Sequence, residues 1–411
     1  MRFEEYNIAE EVKKSIAEMG FKRPTDIQFK AIGPILKGED VLAIAQTGTG
    51  KTAAFAIPII HLLQKNIHTG AFTKCLILVP TRELAIQITE VFKSIAKYTQ
   101  VKVVCLMGGI DHDNQIFDLT VGAHIVIATP GRMFDLQNQG YVDLSRVQML
   151  VLDEADKMLD KGFIKDIEDI NRKIPRTHQT MFFSATINKK IKELAYSVVT
   201  NPIRIQISPK NPVSKNVTHS LAFVEMDDKR FFLERIVKEA PNSKMLVFVR
   251  TKVRAERLFS AMQRVGIESL TMHGGKEQVD RLAVMEDFKT GKVKMLIATD
   301  VSARGIDIEN VDYVINYDLP DVPENYVHRV GRTGRGVKSG KAVSFCSTEE
   351  KEVLKNIETY LGQPINILEI DKLAYEQTID FSEDGSKNWK DLLKQAAQFE
   401  AKKEVKKKKK K

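Results

Sequence analysis

Eight consecutive residues near the N-terminus have the types needed to hold a phosphate chain. They begin at the last residue of an apolar run, residues 41–45, and precede a helical pattern: Ala45, Gln46, Thr47, Gly48, Thr49, Gly50, Lys51 and Thr52. Glycines let such a loop wrap backbone N–H groups around phosphate oxygens, and the next helix adds donors from its N-terminus. We therefore expect Lys51 to reach the β- and γ-phosphates and the Thr52 hydroxyl to ligate Mg²⁺. The strict pattern has Gly at position 45, so a plain strand-to-helix turn is the alternative.

A second stretch joins a short apolar run to a group of acids. Residues 149–152 read Met-Leu-Val-Leu and are followed by Asp153, Glu154 and Asp156. The run predicts a buried strand of a parallel sheet, whose carboxyl end is where open α/β sheets bind ligands. Asp153 could then hold a hard cation such as Mg²⁺, and Glu154 could orient a water. An acidic helix start is the alternative, and the preceding phosphate loop argues against it.

Arginines are dense in the second half of the chain, at His328-Arg329-Val330-Gly331-Arg332-Thr333-Gly334-Arg335. That half has no Gly-Lys-Thr loop of its own. This combination favours a composite site, with ATP bound between two domains. Arginines supplied from the second domain would neutralise charge on the γ-phosphoryl group, an effect of about 10³–10⁵ in rate elsewhere. A solvated basic loop is the alternative.

A segment ahead of the phosphate loop could read a nucleobase. Gly20 is typical of a helix stop, and Pro24 is typical of the start of the next element. Gln28 offers a donor and an acceptor together, which an adenine edge requires. An ordinary surface glutamine is the alternative.

The elements that must position these residues alternate along the chain. Strand-like runs occupy residues 41–45, 75–79, 101–106, 123–128, 149–152, 180–183 and 203–207, and then 246–249, 268–272, 295–298, 313–316 and 342–345. Helical patterns lie between them, as at residues 82–97, where the apolar side chains share one face. The alternation predicts an α/β protein whose two halves each form a doubly wound parallel sheet.

Length and composition indicate two domains. A chain of 411 residues is too long for one ordinary core. We assign residues 1–30 to an N-terminal segment, 31–207 to a first domain, 208–216 to a linker, 217–372 to a second domain and 373–411 to a C-terminal extension. Two prolines among polar residues, Pro209 and Pro212, mark the linker. The extension is predicted to carry an amphipathic helix near residues 389–399 and then a disordered Lys-rich tail.

Charge and cysteine content limit the class of protein. The 43% hydrophobic and 28% charged residues are typical of a soluble globular protein, and no apolar run approaches a membrane span. The N-terminus lacks an apolar signal core, and Cys75, Cys105 and Cys346 have no metal-ligand spacing, so we expect reduced thiols and a cytoplasmic location. Residues 402–411 carry +7 of the net charge of +9, so the body is nearly neutral and nucleic acid must meet local basic positions.

Taken together, these motifs resemble the DEAD-box family of ATP-dependent RNA helicases, from about Phe3 to Asp371. Asp153-Glu154-Ala155-Asp156 is the motif that names the family, and the phosphate loop with Ala45 is the family's own form. Further matching stretches are Gly20–Gln28, Pro80–Ala85, Gly108-Gly109, Thr129–Arg132, Ser184–Thr186, Gln278 with Arg281, Ala298–Asp300, Ala303–Asp307 and His328–Arg335. The short basic tail is most similar to the bacterial RhlE-like branch.

The resemblance implies two tandem RecA-like domains that close together on ATP and single-stranded RNA, with Mg²⁺. It implies catalytic roles for Lys51, Asp153, Glu154, Arg332 and Arg335. It implies that nucleotide is held by Phe21, Gln28, Gly305 and Asp307 together with the phosphate loop, and Mg²⁺ by Thr52 and Asp153. It implies that RNA contacts Thr81, Arg82, Gly109, Thr129, Arg132, Arg281 and Thr299, and that Ser184, Thr186 and His328 couple nucleotide state to closure.

Those RNA-facing groups are mostly backbone, hydroxyl and arginine, which favours phosphate and 2′-OH contacts over base reading. We therefore expect little sequence specificity, and local, non-processive separation of short duplexes. An ATP-gated RNA clamp with little unwinding and a DNA helicase are the alternatives. We expect a monomer without membrane attachment, for which ribosome-assembly and RNA-decay proteins are candidate partners.

Overall fold

The structure, a computed structural model, describes residues 2–45, 48–67, 72–109, 112–207, 213, 216–300, 311–334 and 339–382. These residues form two compact units. Unit 1 contains the described residues up to Ile207, and unit 2 contains those from Val213 to Ser382. Each unit is built on one seven-stranded sheet. No helix in the described ranges is long and apolar enough to cross a membrane.

The sheet of unit 1 is parallel throughout. Its strands are β1 (Val41–Ala45), β2 (Cys75–Leu78), β3 (Val103–Leu106), β4 (Ile125–Ala128), β5 (Met149–Leu152), β6 (Gln179–Ser184) and β7 (Ile203–Ile207). They lie in the order β3-β4-β2-β5-β6-β1-β7. From β1 the chain crosses through β2 to the edge at β3 and then returns through β4, β5 and β6 to the opposite edge at β7, which confirms the predicted doubly wound α/β class.

Helices cover both faces of this sheet because its strands are apolar on both sides. In β1, Val41, Ala43 and Ala45 join one buried cluster, whereas Leu42 and Ile44 join the other. The helices of unit 1 are α1 (Glu10–Glu18), α2 (Asp26–Leu36), α3 (Lys51–Lys65), α4 (Arg82–Ile95), α5 (His112–Thr120), α6 (Pro130–Asn138), α7 (Ala155–Asp160), α8 (Ile164–Lys173) and α9 (Lys189–Val198).

Unit 2 repeats this architecture. Its strands are β8 (Val217–Phe223), β9 (Met245–Val249), β10 (Leu270–Met272), β11 (Met295–Thr299), β12 (Tyr313–Asn316), β13 (Gly340–Cys346) and β14 (Asn366–Ile367), in the order β10-β11-β9-β12-β13-β8-β14, all parallel. Its helices are α10 (Lys229–Glu239), α11 (Lys252–Arg264), α12 (Gln278–Lys289), α13 (Pro323–Val330), α14 (Lys351–Leu361) and α15 (Lys372–Asp380).

Two strands of unit 2 were not predicted. Strand β8 contains Thr218, His219 and Ser220, which interrupt its apolar run, and β14 is only two residues long. Three predicted strands also began two residues too early, because residues 101, 123 and 268 precede the ladder that begins at 103, 125 and 270. The predicted helix after β2 ends at Ile95, two residues before its expected end.

Helix α15 begins one residue before the predicted C-terminal extension and packs on α10. The Tyr375 hydroxyl accepts a hydrogen bond from the Glu225 backbone N–H at 3.1 Å and donates to Asp228 Oδ2 at 2.8 Å. The predicted amphipathic helix near residues 389–399 and the Lys-rich tail lie outside the described residues, as does most of the predicted linker.

Candidate functional site

The predicted phosphate loop connects the buried strand β1 to α3. Gly50 is the residue before α3 and has φ +91°, a conformation that favours glycine. A side chain there would also collide with the Gln28 amide nitrogen, since a Cβ would lie only 2.5 Å from it. Lys51 is buried and its Nζ donates to the Ala45 carbonyl at 2.9 Å, so the lysine is folded back over the loop. Thr52 follows in the first turn of α3, beside the helix's unpaired N–H groups.

Gln28 ties α2 to this loop. Its Oε1 accepts from the Thr25 backbone N–H at 2.9 Å, which completes the capping box of α2. Its Nε2 donates to the Gly50 carbonyl at 3.1 Å, and the Thr25 hydroxyl donates to the Thr49 carbonyl at 2.8 Å. Gln28 is buried with both amide functions engaged by the chain itself, so an adenine edge would have to exchange with these bonds. Phe21 is half-buried, with its ring 6.0 Å from that of Phe3.

The acidic motif follows β5 without a break. Asp153 and Glu154 are both 3% exposed. Asp153 Oδ1 accepts from the Glu154 backbone N–H at 2.9 Å. Glu154 has φ +52°, a left-handed conformation that costs free energy for any residue other than glycine. Its carboxylate lies 2.7 Å from the buried Lys157 Nζ.

The charge of Asp153 is costly in this position. Burial raises the pKa of its carboxyl to about 6, and the positive charge of Lys51 acts in the opposite direction. The pairing of a buried carboxylate with the Thr52 hydroxyl, both beside the phosphate loop, suits a hard cation that takes its remaining ligands from phosphate and water. Within the described residues, no group of three or more His, Cys, Asp or Glu side chains is placed so that it could hold a metal ion by itself.

Ser184 and Thr186 follow β6. Ser184 is fully buried and its hydroxyl donates to the Thr186 carbonyl at 2.8 Å. The Thr186 hydroxyl in turn donates to Asp156 Oδ2 at 3.3 Å. This pair of bonds connects the end of β6 to the acidic motif.

Sheet order explains why these groups meet. Strands β5, β6 and β1 are neighbours, so the acidic motif, Ser184 with Thr186, and the phosphate loop emerge side by side at one edge. Parallel strands lie about 4.8 Å apart. Residues more than one hundred positions apart in sequence therefore share one site.

The other half of the same edge carries the residues predicted to contact RNA in unit 1. They follow β2, β3 and β4, which are also neighbours: Thr81 and Arg82, then Gly109, then Thr129 and Arg132. The Thr81 hydroxyl caps α4 by accepting from the Leu84 N–H at 3.2 Å. Gly109 has φ +79°, and a Cβ there would lie 2.6 Å from an Arg82 Nη. The guanidinium of Arg82 therefore lies directly over this glycine turn.

Arg132 differs from its neighbours because its side chain is only 3% exposed. Its Nη1 lies 2.6 Å from Asp135 Oδ2, and its Nε donates to Gln115 Oε1 at 3.5 Å. Gln115 in turn bonds both backbone groups of Met107, just before the glycine turn. The bonds of Arg132 therefore connect α6 to the turn after β3. The prediction that Arg132 contacts RNA did not anticipate this structural connection.

In unit 2, the predicted residues again follow the carboxyl ends of strands. Thr299 is the last residue of β11, and Arg281 lies in α12. His328 is half-buried in α13, and Arg332 is buried just beyond the end of that helix. Five predicted site residues, Gln46, Thr47, Gly305, Asp307 and Arg335, lie outside the described residues.

Two interactions at these sites were not foreseen from the sequence. Arg329, beside His328, is 2% exposed and forms two hydrogen bonds with Asp300, the residue after Thr299. Lys157 pairs with Glu154 at a spacing of three residues, a common surface pattern that gives no sign of burial. Arg329 and Asp300 both fall within motifs recognised in the sequence, but a motif alone does not reveal that two of its members are partners.

Comparison with known proteins agrees with this arrangement. A family model described as DEAD/DEAH box helicase matches residues 25–194, and one described as helicase conserved C-terminal domain matches residues 228–337. ATP-dependent RNA helicase RhlB of Shewanella oneidensis is 40% identical over 91% of this chain and 86% of its own length. The chain belongs to the DEAD-box family of RNA helicases.

Two further proteins resemble this chain over most of its length. ATP-dependent RNA helicase DbpA of Bacillus subtilis is 38% identical over 89% of this chain and 76% of its own length. Dbp5 of S. cerevisiae, solved with RNA and ADP BeF3, is 30% identical with a TM-score of 0.82, covering 92% of this chain and 99% of that one. The predicted tandem RecA-like, DEAD-box architecture is thus confirmed, whereas the predicted affinity to the RhlE-like branch stays a prediction.

Proposed function

We propose that the protein hydrolyses ATP in response to RNA and uses the cycle to separate short RNA duplexes locally or to remodel RNA–protein complexes. One observation carries this proposal. A single edge of the unit 1 sheet divides into a phosphate half, after β5, β6 and β1, and a half after β2, β3 and β4, where the Arg82 guanidinium lies over the exposed backbone turn at Gly109 and half-buried Thr129 follows β4. A nucleotide and a sugar-phosphate strand can therefore bind side by side on one rigid platform.

In the phosphate half, groups of unit 1 would bind and orient the triphosphate. Lys51 would exchange its bond to the Ala45 carbonyl for the β- and γ-phosphates, and the α3 N-terminus would supply N–H donors. Thr52 and Asp153 would hold Mg²⁺, which supplies charge neutralisation between the phosphates. Glu154 would orient the attacking water, with Lys157 Nζ 2.7 Å from its carboxylate. Phe21 and Gln28 would receive the adenine.

Unit 2 would supply what unit 1 lacks. Arg332 and Arg335 would stabilise the negative charge that develops on the γ-phosphoryl group, and Gly305 and Asp307 would face the γ-phosphate and the ribose. His328, with Ser184 and Thr186, would relate nucleotide state to closure of the two units. Hydrolysis would then depend on both units binding the same nucleotide.

RNA would be held through its backbone. The RNA would contact four residues in unit 1, Thr81, Arg82, Gly109 and Thr129, and two in unit 2, Arg281 and Thr299. Arg132 would position the turn after β3. Such contacts favour phosphate and 2′-OH groups over base edges. Closure would bend one strand so that its partner cannot remain paired, which limits unwinding to short duplexes.

The cellular setting is also proposed. The three cysteines are free thiols, with Cys75 and Cys346 buried and Cys105 half-buried, which supports a reducing compartment such as the cytoplasm. Ribosome-assembly and RNA-decay proteins are the partner classes we would examine first. Crosslinking the protein to cellular RNA and mapping the sites would identify the RNA that it binds.

The test is ATP hydrolysis by the full chain with no nucleic acid, with single-stranded RNA, and with DNA of equal sequence. We expect strong stimulation by RNA and little by DNA, because only RNA offers the 2′-OH. Equal stimulation by DNA would favour the DNA helicase alternative. Strong stimulation without separation of a short RNA duplex would favour the clamp.

A further inference from the structure

The turn after β10 is held by a histidine whose two ring nitrogens both have partners. His273 is 8% exposed, and its Nδ1 lies 3.2 Å from the Gly275 backbone nitrogen. A backbone N–H can only donate, so Nδ1 must be the acceptor and the ring proton must be on Nε2. Nε2 lies 2.7 Å from Glu256 Oε1, to which it therefore donates. The imidazole thus bridges α11 and the turn in one tautomer.

Glu256 is fixed in the same position from a second side. The Thr271 hydroxyl, on β10, donates to the same Oε1 at 2.8 Å. Although half of the Glu256 side chain is exposed, this oxygen receives two hydrogen bonds from two residues of one strand-turn segment. The carboxylate therefore connects α11 to the end of β10 whatever the rest of the side chain does.

The turn contacts His273 on its inner side and is open on its outer side. A Cβ added at Gly275 would lie 3.3 Å from His273 Nδ1 and 3.8 Å from the Lys252 side chain. Lys276 closes the turn by donating its backbone N–H to the His273 carbonyl at 3.1 Å. Gly274 and Gly275 are both exposed, so the outer side of the turn, with Lys252 and Lys276, faces solvent.

The turn leads directly into the region where unit 2 is expected to bind RNA. Strand β10 neighbours β11, whose last residue is Thr299, and α12 begins two residues after Lys276 and carries Arg281 in its first turn. A shift of the turn would move the start of α12, and with it Arg281. Orientation of a phosphate-binding arginine is sensitive to such shifts because its donors have fixed directions.

We propose that Glu256 and His273 form a bracket that fixes the turn at residues 274–276 in an RNA-binding geometry, with His273 acting as a positioning residue. The inference rests on the proposed RNA-dependent function and adds residues to its unit 2 surface. The bracket would hold the turn and α12 ready before RNA arrives, so that RNA binding does not have to order them.

Two substitutions of His273 separate its two bonds. In His273→Asn the amide oxygen replaces Nδ1 and can still accept from Gly275, whereas in His273→Gln the amide replaces Nε2 and can donate only to Glu256. The readout is the RNA concentration that half-activates ATP hydrolysis by the full chain, using a single-stranded oligouridylate. We expect about a 3- to 10-fold increase for each variant, the equivalent of one hydrogen bond, because each keeps only one of the two bonds on which the bracket depends. The ATP KM and the kcat at saturating RNA should be unchanged.

Further variants guard against a folding defect. Glu256→Gln keeps an acceptor for Nε2 and should resemble wild type, whereas Glu256→Ala should resemble His273→Gln at an unchanged thermal midpoint. Glu239→Gln, on the exposed face of α10, is the matched control and should leave RNA activation unaltered.

The outcomes distinguish the bracket from the function on which it rests. Arg281→Ala should raise the half-activating RNA concentration. If it does and either His273 variant behaves like wild type, the bracket is wrong and the RNA surface stands. If Arg281→Ala has no effect, α12 is not part of the RNA surface, and both proposals fail in unit 2.

Discussion

Arg329 binds Asp300 through two hydrogen bonds, from Nε to Oδ1 at 2.6 Å and from Nη2 to Oδ2 at 2.8 Å. Its third nitrogen, Nη1, donates to the Asp318 carbonyl at 2.6 Å, and the arginine is 2% exposed. One side chain thus joins the end of β11, where RNA is expected, to α13, whose end carries Arg332. Within unit 2, this connection therefore fixes where Thr299, the predicted RNA contact, lies relative to Arg332, the predicted contact with the γ-phosphoryl group.

Removing that arginine should destabilise unit 2. In Arg329→Met, the Asp318 carbonyl and Asp300, whose side chain is 24% exposed, lose their donor, and the loss of charged hydrogen bonds in such a partly buried pair costs about 2–3 kcal/mol. Urea unfolding of the full chain should show an earlier transition for unit 2. The control is Lys292→Met, which breaks an ion pair with Asp287 whose lysine is 71% exposed, and should cost under about 1 kcal/mol. Equal effects of the two changes would contradict the role of Arg329.

Much of this architecture follows from local patterns. The apolar run before Asp153 predicted β5 with its exact bounds because a strand buried on both faces needs no alternation. The phosphate loop was predictable because its glycines and lysine lie consecutively. Pairings between distant segments were not predictable in this way. Neither the bond from Gln28 to Gly50 nor that from Arg329 to Asp300 leaves a periodic signal, since the first depends on how α2 packs against α3 and the second on strand order, and the sequence states neither.

Changing Gln28 should act on the phosphate loop as well as on any base contact. In Gln28→Glu the acceptor for the Thr25 N–H survives, but a carboxylate oxygen would face the Gly50 carbonyl instead of an N–H donor. We expect ATP affinity to fall at least about tenfold, because the Gly50 carbonyl would lose its donor and be repelled by the carboxylate. Titration with a fluorescent ATP analogue measures this, and Gln263→Glu, on the exposed surface of α11, is the control. Unchanged affinity would show that the bond is dispensable.

Asp153 should make stability fall as pH rises in the absence of nucleotide and Mg²⁺. Its pKa is raised from 3.8 to about 6 in the folded protein, so folding favours the protonated form. Asp153 contributes about 2–3 kcal/mol to the free energy of unfolding below about pH 4. This contribution is lost as pH rises through 6. Asp153→Asn should therefore stabilise the protein in EDTA at pH 7.5 more than at pH 4.5. Calorimetry at the two pH values checks this, and a pH-independent difference would contradict it.

The Lys-rich tail should contribute non-specific affinity. Residues 402–411 carry eight lysines and one glutamate, and each phosphate neutralised releases counterions. Deleting these residues should lower RNA affinity and flatten the dependence of log affinity on log salt. Fluorescence anisotropy between about 50 and 200 mM salt measures the slope. An unchanged slope would indicate a tail that only solvates the protein.

The most direct test of the account is phosphate release by a full-length Arg332→Glu, Arg335→Glu variant, measured with saturating ATP and RNA. If unit 2 supplies the charge that stabilises the reacting phosphoryl group, RNA-stimulated release should fall by about 10³-fold or more. ATP binding by unit 1, measured without RNA, should stay within a few fold of wild type. Release at the wild-type rate would contradict a nucleotide site shared by the two units.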